Sequence, residues 1–509
     1  MNLSQRICKV LELAPAGRAI EFGGSEYSWQ YLGNIRMQID RALTAAGLGA
    51  GAPIGVILRN RPAHIGAVLA LLSTDRCLVT VNGFSSPERI AEDLAALRLP
   101  ALIADEEDWQ LAPIQDWARS TGAIGISLRQ NGCPAVEVLV DMINPGNGPF
   151  RAPLNGVAIE MLTSGTTGAP KRVPLRFETL DDALAEGASP DAKRGDLKIK
   201  VAPAILTAPL VHVGGIFALG LAIYEARPVV LLEKFELQEW LAAVRKYRPK
   251  FASLVPAIVR TIFDANVRKE DLSSLLAIRS GTAPLDPETK RAFEEKYGIP
   301  ILTSYGATEF AGGVARWTLE EYRRRGLAKF ESVGRASPGF ELRIVNREES
   351  NELPAGGIGV LEIKAERLGK DSGWTRTTDL ASLDSDGFLF IHGRADDAII
   401  RGGFKILPEV VADAFRKHPA VKDVAVVALN DSRLGQVPAA AIELRPAIDP
   451  PTEAELDAFA RRYLIRYQVP ARYLLVNELP RTASLKINLG EVRKMFAVGD
   501  GLVSRMPPA

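Results

Sequence analysis

Short β-branched runs alternate with helical patterns along most of this chain, and that alternation limits its fold more than any other feature. Pro53 to Leu58 (PIGVIL) reads as a strand, Pro62 to Leu72 as an apolar helix, and Cys77 to Val81 as the next strand. Further on, a strand from Pro228 to Leu232 precedes Leu237, Leu241 and Val244 at helical spacing, with Trp240 beside them. The order then repeats: Phe251 to Val255, a helix after Pro256, a strand ending near Ser280, a helix over Pro287 to Tyr297, and a strand from Pro300 to Ser304. Strand followed by helix, over and over, predicts an α/β fold with mainly parallel sheets. Its ligand-binding groups are expected in the loops that leave the carboxyl ends of strands. From about Phe340 the texture changes to short strands with turn signals (ELRIV, GVLEIKA, SDGFLFIHG), which predicts a small antiparallel part. After Gly393-Arg394 a new βα pattern begins, with Val410, Val411, Ala414 and Phe415 on one helical face before a strand from Val424 to Leu429. A chain of 509 residues exceeds one ordinary core. The expected division is a large domain over residues 1–395 and a small, mobile α+β domain over 396–509.

Charge narrows the partners. Lys+Arg at 62 against Asp+Glu at 61 leave a net charge of +1. Without a broad positive field, nucleic acid or an acidic membrane surface is argued against as the main partner. Cys8, Cys77 and Cys133 are few and far apart, so they read as buried thiols of a reducing compartment rather than a disulfide framework. Arg6, Lys9 and Glu12 break the apolar character of the first residues, which does not suit a signal peptide. The stretch Ile205 to Tyr224 has the length and apolarity of a membrane span. Pro209, His212 and Gly214-Gly215 interrupt it, and a buried strand-loop-helix is the better reading. A soluble cytoplasmic protein without integral membrane association is expected.

Thr163-Ser164-Gly165-Thr166-Thr167-Gly168-Ala169-Pro170-Lys171 follows the apolar run Val157 to Leu162. Glycines let successive backbone N–H groups turn toward one anion, hydroxyls add donors, and Lys171 supplies a mobile charge. A Walker A pattern cannot be fitted to it. Composition alone leaves a plain Ser/Thr/Gly surface turn open. The order of residues says more. TSGTTGAPK resembles the signature loop of the AMP-forming adenylating enzymes, a superfamily that includes acyl-CoA synthetases, firefly luciferase and peptide-synthetase adenylation domains.

Further segments resemble that family's motifs, in family order. Ser304-Tyr305-Gly306-Ala307-Thr308-Glu309, placed just past a predicted strand, resembles YGxTE. The resemblance implies that Tyr305 stacks on adenine, Thr308 contacts the α-phosphate and Glu309 holds Mg²⁺. Ser280-Gly281-Thr282-Ala283-Pro284-Leu285 resembles the adenine-side GGAPL segment, with Thr282 where a second glycine is commoner. Ala208-Pro209-Leu210-Val211-His212 resembles PLFH, which places Val211, His212, Gly215 and Ser280 beside the acyl pocket; a plain core histidine competes with that reading. Arg376-Thr377-Thr378-Asp379-Leu380 resembles RTGDL, whose aspartate accepts both ribose hydroxyls, and Thr378 replaces its glycine. Gly393-Arg394-Ala395-Asp396-Asp397 and Arg401-Gly402-Gly403 resemble GRxDD…GG. There Arg394 would help hold the nucleotide, Asp396 would be the hinge, and Gly402 and Gly403 would line the CoA channel. Leu479-Pro480-Arg481-Thr482-Ala483-Ser484-Leu485-Lys486 resembles LPRTxxGK, with Leu485 in place of glycine and Lys486 at the catalytic lysine.

The resemblance covers roughly Leu154 to Asn488 and implies the acyl-CoA synthetase branch. Its reaction joins a small-molecule carboxylic acid to coenzyme A with ATP and Mg²⁺, through an acyl-adenylate. A carrier-protein thiol is a second, less favoured acceptor, and a non-catalytic nucleotide-binding homologue a third reading. An amino-acid adenylation domain fits less well, because no acidic residue near His212 could pair with an α-ammonium. HExxH, CxxC and GxSxG are all absent from the sequence, which argues against zinc and serine hydrolase chemistry. Small or apolar positions from Val211 to Ile216 and at Ser280 hint at an uncharged aryl or aliphatic acid.

Overall fold

The computed structural model describes residues 1–129, 135–139, 142, 146, 148–162, 172–194, 197–349, 351–368, 373–394, 398–401, 404–431, 433–446, 449–482 and 485–498. The Pro53–Leu58 strand is buried at every position, as a parallel strand covered on both faces must be. It stands in a seven-stranded sheet ordered Val136–Val138, Ile124–Leu128, Ala101–Asp105, Pro53–Leu58, Cys77–Asn82, Val157–Leu162, Arg172–Arg176. The inner strands run parallel and the two edge pairings are antiparallel. A second sheet begins with Phe251–Ser253, Ala277–Ser280 and Ile301–Ala307 in parallel, then adds Gly312–Arg316 and Arg335–Ala336 antiparallel. A third sheet joins Ala204–Leu206, Val229–Leu231, Arg18–Phe22 and Ser25–Ser28. The largest apolar cluster packs residues from the first and third sheets together; another lies between the second sheet and its helices.

The change of texture after Phe340 is an antiparallel sheet of Phe340–Val345, Gly359–Ala365, Thr375–Leu383 and Leu389–Arg394. Beyond it, Val421–Asp431 and Gly435–Leu444 pair antiparallel, and Arg472–Val476 adds in parallel. The helix Pro408–Arg416 packs in the same C-terminal cluster.

Local chemistry explains the boundaries. The helix Pro287–Tyr297 starts where the Asp286 carboxylate accepts the Thr289 N–H at 2.8 Å, with Pro287 in the first turn, and stops at Gly298 with φ of 69°. The apolar stretch around Ile205 resolves into the strand Ala204–Leu206 and the helix Val213–Tyr224. Among the described residues no helix is long and apolar enough to cross a membrane.

Three expectations need correction. Val410 is 41% exposed while Val411, Ala412, Ala414 and Phe415 are buried, so the apolar stripe is centred on Val411 and Phe415. Cys8 is only half-buried, beside the Arg36 guanidinium; Cys77 is buried, and Cys133 lies outside the described residues. The strand expected to end at Ser304 continues to Ala307, so the Tyr305-Gly306 motif is part of the strand, not a turn past it.

Candidate active site

That extension has a backbone cause. Ser304 to Ala307 pair with Gly312–Arg316, and Gly306 lies directly against the Gly312 carbonyl. A Cβ at Gly306 would stand 2.3 Å from that oxygen, so only glycine fits. The chain then makes a single 3₁₀ turn over Thr308–Phe310, pinned by the buried Phe310 ring, which leaves the Glu309 carboxylate exposed.

Tyr305 reaches across to the antiparallel sheet, where its hydroxyl donates to the Asp379 carboxylate. Burial and the neighbouring Asp379 charge push the Tyr305 pKa up, so the phenol stays a donor. Asp379 stands opposite Arg394 on the adjoining strand, and its N–H donates to the Thr377 hydroxyl at 3.1 Å. Thr378 is an exposed residue of the regular strand Thr375–Leu383, so no glycine is needed there.

The adenine-side segment leaves the neighbouring strand at Ser280. Gly281 packs so closely that a Cβ would lie 2.7 Å from the Ser304 hydroxyl oxygen. Thr282 takes φ of 73°, a left-handed conformation that a β-branched residue adopts only under strain and glycine adopts freely. Ala283 follows, half-buried. Ser280 is buried, and its hydroxyl has no hydrogen-bond partner among the described residues.

His212 caps the helix Val213–Tyr224. The segment before it is clamped by Asn60, which is 1% exposed. The Asn60 amide donates to the Ala208 and Leu232 carbonyls at 3.2 and 3.0 Å, and its oxygen accepts the Leu210 N–H at 2.8 Å. Val211 is buried in the main core, and Gly215 passes so near Pro209 that a Cβ would meet its carbonyl oxygen at 2.1 Å. Comparison with the other histidines separates the two readings of His212. His64 binds Asp105 through Nε2 and accepts the Arg59 N–H through Nδ1, His392 pairs with the Ser382 hydroxyl, and His418 accepts the Ala420 N–H. The buried Nε2 of His212 has no hydrogen-bond partner among the described residues, which sets it apart from those three. Burial and the Lys486 charge lower its pKa to about 4, so it is neutral near pH 7.

Lys486 sits at the end of a short hairpin in which Arg481 bridges Ile487. The Leu485 N–H donates to the Thr482 carbonyl, and the Thr482 N–H to the Lys486 carbonyl, both at 2.8 Å. Leu485 has φ of 61°, again a glycine-like conformation, while its side chain packs with Leu285 on the apolar cluster beneath the second sheet. Arg481 donates to Asp423 at 2.8 Å, and Asp423 also pairs with Arg260 at 3.1 Å. Arg260 in turn donates to Asp286 at 2.5 Å. Although burial opposes it, Arg260, Arg416 and Arg481 hold the Asp423 carboxyl below its usual range. This network sets the Lys486 ammonium within electrostatic reach of both His212 and Arg394, half-buried and without a carboxylate partner among the described residues. Burial and Arg394 lower its pKa.

The structure therefore brings together His212, Ser280, Gly281, Thr282, Tyr305, Asp379, Arg394 and Lys486 from well separated stretches of chain. Thr163, Ser164, Gly165, Thr166, Thr167, Gly168 and Lys171, Asp396, which the resemblance implies as the hinge, and Gly402 and Gly403 lie outside the described residues. Asn60 escaped the sequence reading, because nothing in its local context marks it as a clamp. Among the described residues no group of three or more His, Cys, Asp or Glu side chains could enclose a metal ion. One exposed carboxylate, Glu309, suits Mg²⁺, which keeps waters and takes much of its shell from phosphate oxygens.

Residues 10–370 match the family model described as AMP-binding enzyme, and 411–486 match its C-terminal domain. The sulfoacetate–CoA ligase of Cupriavidus necator is 29% identical over 501 residues, covering 93% of this chain and 92% of that protein. The indoleacetate–CoA ligase of Aromatoleum aromaticum is 27% identical, covering 98% of each chain. ATP-bound MatB of Rhodopseudomonas palustris superposes with a TM-score of 0.81 at 23% identity, covering 98% of this chain and 99% of the other, a likeness of fold. The chain belongs to the AMP-binding enzyme family, the AMP-forming adenylating superfamily. Within it the protein is an ATP-dependent acid–CoA ligase of the acyl-CoA synthetase branch, working through an acyl-adenylate.

Proposed function

We propose that the cleft between the Tyr305–Asp379–Arg394 wall and the Lys486 hairpin is where this ligase activates its acid. The observation that carries the reading is Lys486, a half-buried cation with no carboxylate partner among the described residues, within electrostatic reach of Arg394 and of His212, whose Nε2 has no hydrogen-bond partner among those residues either. Such a group lowers the energy of an anion placed beside it. With the acid's carboxylate next to His212 and the α-phosphate next to Thr308, Lys486 would neutralise the charge that grows during in-line attack. Tyr305 would stack on adenine beside the Gly281-Thr282-Ala283 backbone. Asp379 would accept both ribose hydroxyls; a carboxylate has enough lone pairs to keep Tyr305 as well. The Thr163–Lys171 loop takes the triphosphate on the strength of its sequence. Mg²⁺, held by Glu309 and the phosphates, would supply further charge neutralisation. Neutral His212 would orient the acid rather than take a proton, since a carboxylic acid is already ionised near pH 7.

In the second half-reaction the CoA thiolate attacks the acyl carbonyl of the mixed anhydride, and AMP leaves with the bonding electrons. The domain over 396–509 would turn about Asp396, withdraw Lys486 and bring Gly402-Gly403 to the thiol path, a hinge closure in the cytoplasmic enzyme. The test is exchange of labelled pyrophosphate into ATP across an acid library, with and without coenzyme A. Acid-dependent exchange supports the assignment; no exchange with any acid removes it.

A further inference from the structure

Arg260 stands on the helix Pro256–Asp264 of the large domain, and its guanidinium crosses to the C-terminal domain. One nitrogen donates to the Lys422 carbonyl at 2.9 Å and pairs with the Asp423 carboxylate at 3.1 Å. The other donates at 2.5 Å to Asp286, the cap of the helix Pro287–Tyr297 in its own domain. A planar fork suits that double duty, because its donors diverge at fixed angles. The three side chains are little exposed, at 17% for Arg260, 11% for Asp423 and 6% for Asp286. The second oxygen of Asp423 accepts from Arg481 at 2.8 Å, and Arg481 donates to the Leu485 carbonyl at 3.3 Å. Leu485 immediately precedes Lys486, so a continuous run of contacts joins Arg260 to the backbone that carries Lys486.

The charges around it make Arg260 hard to replace. Among the described residues Asp286 has no other ion pair. Although burial opposes it, Arg260 holds the Asp286 carboxyl below its usual range, with a smaller push from Arg416. Arg416 is itself committed to Glu409 at 2.5 Å and Asp413 at 2.6 Å, and approaches Asp423 only to 3.8 Å. With Arg260 gone, bringing the domains together buries Asp286 unpaired beside a face that carries Asp413 and Asp423. Parting them returns Asp286 to water. The penalty therefore falls on the joined arrangement alone. A second pair across the interface, Arg445 with Asp264 at 3.5 Å, is 42% and 29% exposed and contributes little.

We propose that Arg260 is a positioning residue that clamps the two domains in the adenylating arrangement and so holds Lys486 in place. Its release is then part of the passage to thioester formation, and its hold favours the first half-reaction only. This rests on the site assignment and the domain turn set out above.

The experiment follows the two half-reactions separately, in single turnover. Adenylate formation is measured with hexanoate, benzoate and indoleacetate. Thioester formation is measured with coenzyme A and the chemically prepared adenylate of the best of these acids. Arg260→Met is expected to slow adenylate formation by ~10- to 10²-fold, the scale for truncating one member of a buried charge pair. The KM for ATP changes less than about threefold, and thioester formation is unchanged or faster. Arg260→Lys keeps the charge without the fork and falls between. Asp423→Asn cuts the same link from the C-terminal side and is expected to repeat the pattern, which covers the case of an unstable Arg260→Met. Because Arg260 acts through Lys486, adding Arg260→Met to Lys486→Ala slows adenylate formation by no more than about twofold. Equal loss in both half-reactions, adenylation at the native rate, or full additivity with Lys486→Ala overturns the clamp and leaves the adenylation site standing. Absence of adenylate formation by the native enzyme with every acid overturns the site assignment itself.

Discussion

The wall of Tyr305, Asp379 and Arg394 and the hairpin that carries Lys486 are held in different ways. Asp379 and Arg394 are opposite residues of a regular antiparallel pair, and Tyr305 closes on Asp379 from the second sheet. Each position is fixed by a backbone ladder, so the wall is formed before any ligand arrives. Lys486 has no such ladder beyond one short bridge. A chain of ions through Arg481, Asp423, Arg260 and Asp286, plus one apolar contact at Leu485, holds it to the other wall. Asp423 and Asp286 are buried and Arg260 mostly so, so these pairs hold the hairpin firmly while the two sides are in contact and are lost together when they part. On the proposed roles, a wall that binds the nucleotide in both half-reactions is held by backbone, and a lysine needed in only one is held by side chains.

Lys486→Ala strikes the movable side and is expected to have the largest effect. Adenylate formation falls by ~10²-fold or more, the scale for losing one preorganised charge contact. Thioester formation from supplied acyl-adenylate largely survives, because the nucleotide wall is intact. Single-turnover assays of the two half-reactions check this, and equal loss in both would erase the distinction between the walls. Asp379→Ala strikes the fixed side. Hydrogen bonds to a charged group contribute ~1.5–3 kcal/mol, so the KM for ATP is expected to rise ~10- to 10²-fold, with acid dependence little changed. Unaltered ATP dependence would remove the ribose assignment.

His212 lies between the two sides, and pH reads its environment. Its pKa falls from 6.5 to about 4 through burial and Lys486. The unfolded chain therefore takes up the proton first, and stability is lost as pH drops through that window. At pH 5 the cost is ~2 kcal/mol relative to pH 8, seen as a lower Tm in the native protein and a smaller fall in His212→Gln. Exchange activity is expected to show no inflection near pH 6.5. A clear one there would mean that the imidazole titrates in an open, wet site.

The sequence reached the elements more easily than their meeting. Continuous apolar runs such as Pro53–Leu58, and a capped segment such as Pro287–Tyr297, carry their own boundaries and matched. Val410 failed because four apolar positions cover a wider arc than the face that packs. The strand through Tyr305 was cut short because its last residues are held by pairing with Gly312–Arg316, a contact no local pattern announces. The candidate site residues came from motif order, whereas Asn60 sits outside the motifs and gains meaning only from the Ala208, Leu210 and Leu232 backbone that surrounds it.

Of the departures from the family pattern, Thr378 is an ordinary strand residue, whereas Leu485 occupies a left-handed conformation that suits glycine. Such a backbone costs ~1–2 kcal/mol for an L-residue. The Leu485 side chain offsets that by packing with Leu285 on the apolar cluster of the large domain, where partial burial is worth ~1 kcal/mol. Leu485→Gly removes strain and contact together, so Tm is expected to move by no more than a degree or two. Leu485→Ala keeps the strain and loses most of the contact, and is expected to be the less stable of the two. In kinetics the glycine variant frees the hairpin: adenylation slows by about threefold to tenfold, a loss of ~1 kcal/mol in holding Lys486 at the fixed wall, while thioester formation from supplied adenylate is unchanged or faster. Adenylation at the native rate in Leu485→Gly would show that the ion chain alone positions Lys486 and that the apolar contact is incidental to catalysis.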